Sequence, residues 1–107
     1  MSIPAWAQTI IAAHTAVTDQ VSHGGRLKSD RYFVWMEGAD ADFSAGNVHA
    51  ETAMSGTSDL FTKREFDPWR EAIEASFDAA GILWQRIDAD YEEDTGFWHF
   101  IWDWTVL

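Results

Sequence analysis

The 107-residue sequence has no cysteine, two prolines, and only seven basic residues against 18 acidic ones. Without cysteine there can be no disulfide, no thiolate zinc centre and no cysteine nucleophile. Stability must then come from core packing or from neighbouring subunits. The shortage of Lys and Arg leaves a net charge of −11. Such a field disfavours any nonspecific grip on DNA, RNA or an anionic membrane, because phosphate contacts need clustered cations. No apolar run approaches the roughly 18–20 residues of a membrane span. The opening Met1-Ser2-Ile3-Pro4 has neither the basic region nor the apolar stretch of a signal peptide, so synthesis and folding are expected in the cytoplasm.

Aromatic residues, by contrast, are abundant. The chain is 47% hydrophobic and 15% aromatic, with seven Trp and seven Phe. That is too apolar for a disordered acidic chain, since burial can offset backbone entropy. The length fits one domain with one modest core. Aromatics are also enriched at interfaces, which points part of the Trp content toward subunit contacts.

Pro4 to about Thr18 reads as a helix, with Pro4 in its first turn and Trp6, Ile10, Ala13 and Val17 on one face. Val21 to Ser29, with Gly24-Gly25, reads as a turn or loop. Arg31 to Glu37 is the clearest strand, apolar on both faces and closed by Gly38. A polar loop from Gly38 to Asn47 follows. Val48–Met54 and Ser58–Lys63 then read as an antiparallel pair of strands hinged near Ser55-Gly56.

The second helix is bounded by Asp67 as N-cap, Pro68 at its first position and Gly81 beyond its end. Trp69, Ala72, Ile73, Ser76, Phe77 and Ala80 make its apolar stripe, and Arg70, Glu71, Glu74 and Asp78 its wet face. Trp84–Ala89 and Phe97–Val106 are the last two strands, joined by the acidic segment from Asp90 to Gly96. In the final strand Trp98, Phe100, Trp102, Trp104 and Val106 share one side. That pattern suits a core strand better than an aromatic platform for a sugar or base. The expected fold is α+β: an antiparallel sheet of about five strands with two helices on one face, in the order α-β-β-β-α-β-β.

Searching for chemistry returns little. His14, His23, His49 and His99 share no ligand spacing, with His14 on the buried edge of its helix and His99 on the polar face of its strand. Asp40-Ala41-Asp42 lacks the remaining ligands of a calcium loop. Glu92-Glu93-Asp94 reads as the polar tip of a hairpin, which also discourages edge pairing. There is no nucleophile elbow, and neither glycine-rich phosphate fingerprint is present. No enzymatic activity, metal or cofactor is expected.

A succession of motifs carries a resemblance. Arg31-Tyr32-Phe33-Val34-Trp35, Phe43-Ser44-Ala45-Gly46-Asn47-Val48, Asp59-Leu60-Phe61-Thr62-Lys63, Asp67-Pro68 and Ala80-Gly81-Ile82-Leu83-Trp84 follow one another from about Val21 to the C-terminus. Together they resemble the tail terminator, or tail completion, proteins of long-tailed phages and prophages. The sequence departs from that pattern at Arg31, where Pro is common, and at Gly46, where Asp is common. The resemblance implies a structural virion protein assembled in the host cytoplasm and resident at the head–tail junction. It implies a ring, commonly hexameric, that ends tube polymerisation. Its implied partners are the tail tube protein and the head–tail connector or stopper, with DNA passing through the lumen without specific binding.

A head-completion or stopper protein of the same neck, and a small acidic DNA-mimic inhibitor, stand as alternatives. By position in exposed loops, the candidate contacts are Asp40, Asp42 and Phe43 in the first long loop and Glu92, Glu93 and Asp94 at the hairpin tip. Phe43, an aromatic in a polar loop, is the candidate anchor, with folding back onto its own core as the alternative.

Overall fold

The computed structural model describes residues 2–38 and 53–107. Helix α1 spans Ala5–Thr15 and starts where the sequence places it: the Gln8 amide donates to the Pro4 carbonyl at 3.0 Å. Proline has no N–H to leave orphaned there. The helix buries Ala7, Ile10, Ala13 and His14 against the sheet.

Strand β1, Val21–His23, corrects the reading of this segment as a loop. It runs parallel to β2 (Arg31–Glu37), with Val21 opposite Phe33 and His23 opposite Trp35. A parallel crossover usually needs a dozen or more residues. The seven of 24–30 suffice here because β1 is only three residues long. Gly24, at φ +83°, turns the chain and donates its amide to the Trp35 carbonyl at 2.9 Å. The sheet is therefore mixed and not purely antiparallel.

Strand β3, Met54–Thr62, brings a second correction. The expected hinge at Ser55-Gly56 is the inside of a continuous strand, paired with β2 on one side and β5 on the other. No hairpin turns there, and residues 48–52 of the proposed preceding strand lie outside the described residues. Glycine stands at position 56 for a packing reason. A Cβ there would lie 2.6 Å from the Trp104 ring and would run into the Met36 carbonyl. Gly56→Ala is accordingly expected to cost about 2 kcal/mol through overpacking, read from denaturant midpoints; an unchanged midpoint would mean that Trp104 does not need this close seat.

Helix α2, Trp69–Ala79, keeps both of its sequence boundaries. The Asp67 carboxylate accepts the Trp69 amide at 2.8 Å, with Pro68 already in helical conformation. At the other end Gly81 takes φ +73°, its amide donates to Asp78, and Ile82 donates to the Phe77 carbonyl at 2.9 Å. These two bonds form a Schellman motif, with Ile82 and Phe77 buried in one cluster. Two positions depart from the expected faces. Ala80 is exposed. Glu74 does not face open water, because it receives the Trp102 indole N–H at 2.8 Å and two bonds from Arg86.

Strands β4 (Leu83–Glu92) and β5 (Phe97–Val106) form the closing hairpin. β4 runs past Ala89, so Tyr91 and Glu92 belong to the strand and not to the turn. A bulge between Arg86 and Asp88 adds Ile87 to this edge. The sheet order is β1-β2-β3-β5-β4, with both helices on one face, so the α+β architecture holds. Phe33, Trp35, Leu60, Phe100, Trp102 and Trp104 meet Ile10, Ile73 and Phe77 in the main core. Trp102 and Trp104 are fully buried, as the core reading of β5 requires. The helix-free face carries a smaller cluster of Tyr32, Val34 and Phe61, flanked by Leu27 and Phe97. Arg26 lies over Phe61, 4.1 Å from the ring centre.

Candidate functional site

The candidate contacts fall into two groups. Asp40, Asp42 and Phe43 lie outside the described residues. Glu92, Glu93 and Asp94 do come together at the far end of the β4–β5 hairpin, but they are not equivalent. Glu92 is a tie within the fold: its carboxylate accepts Arg26 at 3.0 Å and the Thr95 hydroxyl at 2.9 Å. Burial alone would raise its pKa, but these donors hold it below the usual carboxylate value. Glu93 and Asp94 are exposed, and with Arg26, Glu92 and Thr95 they line an open cavity of about 380 Å³. They are free to meet a partner, whereas Glu92 is engaged.

Three of the four histidines, His14, His23 and His99, lie among the described residues, and each has a partner within the fold. His14 is buried and closes a continuous relay: the Trp104 indole N–H donates to Ser58 Oγ at 2.9 Å, and Ser58 meets His14 Nε2 at 2.9 Å. Nδ1 reaches the Ile10 carbonyl at 2.7 Å. The carbonyl can only accept, so Nδ1 carries the hydrogen and Nε2 accepts the Ser58 hydroxyl. Burial pushes the imidazole pKa down to about 4. His99 Nε2 stands 2.5 Å from Asp59 on the helix-free face, and His23 pairs with Glu37 at 2.6 Å. Among the described residues no group of three His, Asp or Glu side chains is placed to hold a metal ion.

Three surface features were not picked out from the sequence. The first is Phe66, 81% exposed and the most exposed large apolar side chain among the described residues. It precedes the N-cap Asp67, where an apolar residue ordinarily packs onto the fourth helical position. That position is Glu71, so the staple has no second half and Phe66 points outward. The signal was present in the sequence, because Asp67-Pro68 fixes the helix frame.

The second is an apolar groove of about 310 Å³ between α1 and the β1 edge, lined by Ile3, Pro4, Trp6, Ala7, Ile11 and Trp35, with His23 and Glu37 at its polar side. Trp6 meets Trp35 edge-on, and His23 stacks on Trp35 at 4.0 Å. The third is the β4 edge, where Ile87 and Tyr91 are 40% and 45% exposed. The groove and the β4 edge stand at opposite margins of the sheet. No protein-family model matches the chain, and no curated protein sequence matches it either.

Proposed function

We propose that the chain is a structural ring protein of the phage neck. In this reading it caps the head-proximal end of the tail tube, stops tube polymerisation and joins the tail to the head connector. The observation that carries the proposal is the mismatch between its apolar surfaces. A concave groove lies at the β1 margin, and convex side chains project from the β4 margin and from the β3–α2 connection. Surfaces that are not self-complementary favour a heterologous contact, which closes into a ring when the rotation fits. The location in the virion rests on the motif resemblance. A head-completion or stopper role in the same neck uses the same ring.

The acidic balance suits a conduit. On the helix-free face Asp88, Asp90 and Glu92 occupy positions opposite Ile101, His99 and Phe97, beside Asp59. A negative lumen repels phosphates, so DNA passes without sticking. Asp88→Lys with Asp90→Lys is expected to slow genome delivery while leaving particle assembly intact. Delivery at the wild-type rate would remove the lumen assignment. The same row is the feature that a DNA-mimic inhibitor would use. A mimic of duplex DNA needs two such rows to follow two phosphate strands. Among the described residues this face carries one, which favours the conduit over the mimic. Antibody labelling of intact particles tests the location: signal confined to the head–tail junction is expected, and signal at the tail tip or none on the virion would overturn it.

A further inference from the structure

We propose that Phe66 of one protomer seats in the apolar groove under Trp6 and Trp35 of the next, forming the repeating contact of the ring. This rests on the ring reading above and specifies its interface.

Phe66 is mounted rigidly. The next residue, Asp67, is fully buried and accepts Arg31 at 2.5 and 2.7 Å, the Thr62 hydroxyl at 2.7 Å and the Trp69 amide at 2.8 Å. The Arg64 amide in turn donates to Thr62 Oγ1 at 3.2 Å. Both ends of the connection between β3 and α2 are thus fixed on one network. An exposed aromatic on such a mount loses little freedom on docking, which is the property of an interface anchor.

The groove offers the matching hole. Its wall is built from two indoles, and aromatic pairs add attraction beyond area burial. Its polar side carries Glu37, whose carboxylate lies 2.6 Å from His23 Nε2. Arg64, two positions before Phe66, supplies a cation for that carboxylate.

Knob and hole also lie where a head-to-tail contact needs them. Arg31, which holds Asp67, begins β2, and Glu37 ends it. Six residue steps along a strand separate the two sites by about 20 Å. That distance prevents Phe66 from filling the groove of its own chain, so the contact needs a second copy.

The absence of cysteine makes the contact directly testable. Ile3 lies at the groove and is 53% exposed, so Ile3→Cys and Phe66→Cys each add one thiol at a surface position. Under an added oxidant at high protein concentration, the double variant is expected to yield a ladder of disulfide-linked multimers. Each single variant should give at most dimers. In parallel, sedimentation of Phe66→Asp should show self-association weakened by about 30-fold or more, with an unchanged circular dichroism spectrum. Arg64→Glu and Glu37→Arg should each weaken it about threefold, and their combination should restore it. If the oligomer persists in Phe66→Asp and no ladder forms, this contact is wrong while the ring reading stands. If the wild-type chain remains monomeric even under cross-linking, the ring reading falls, and this contact with it.

Discussion

Asp67→Ala is expected to be the most damaging single substitution in the described fold, costing about 4 kcal/mol. The carboxylate is buried, yet it serves three donors at once: the Arg31 guanidinium, the Thr62 hydroxyl and the Trp69 amide. Burial alone would raise its pKa, but these bonds together hold it below the ordinary value. Removing the carboxylate strips the cap from α2, leaves the Thr62 hydroxyl without its acceptor and deprives Arg31 of its anion. Arg31 also stacks over Trp69 at 3.7 Å, so its loss of position would disturb the aromatic lid on Phe33. Asp67→Asn keeps an acceptor for the cap and should cost roughly half as much. Chemical denaturation of the three proteins checks this ranking; equal stability of Asp67→Ala and wild type would show that the network is not a fixed mount.

Acid should destabilise the protein through His14 from pH 6.5 downward. His14 is held near a pKa of about 4, against 6.5 in the unfolded chain. Between those values the unfolded state binds the extra proton, so stability falls as the pH falls. The contribution is complete above pH 6.5 and is lost progressively down to about pH 4, amounting to about 3 kcal/mol. Protonation would also turn Nε2 into a donor facing Ser58, which already receives the Trp104 N–H. Asp67 acts in the same direction in a lower window: its depressed pKa adds stability above 3.8 that is lost on further acidification. His14→Gln, which cannot titrate, should reduce the slope between pH 6.5 and the carboxylate range while leaving the lower transition. A pH-independent melting temperature over that range in wild type would contradict the buried neutral imidazole.

The parts of this fold that were legible in the sequence are those governed by local chemistry. Asp67-Pro68 and Gly81 bracket α2 because capping and the positive φ at the helix exit involve residues within a few positions. Arg31–Glu37 is legible because β-branched and aromatic side chains fill it. The misread parts depend on distant partners. Gly56 looks like a hinge until Trp104, 48 positions away, is found resting on it. β1 is three residues long and exists only because β2 offers an edge.

The surface shows the same division. Glu92 looked like a free acid of a hairpin tip, but Arg26 from the β1–β2 connection engages it. Phe66 was readable in principle, since Glu71 at the staple position leaves it without a partner. The groove was not, because Trp6 and Trp35 come from separate elements. Neither single-residue exposure nor spacing encodes a concavity assembled from a helix and two strands.

Tail length in particles assembled without this protein is the most direct measurement of the central claim. Electron microscopy of such particles should show tubes longer than normal and variable in length, unattached to heads. Tails of normal, uniform length beside free heads would contradict tube termination and leave only a joining role in the neck.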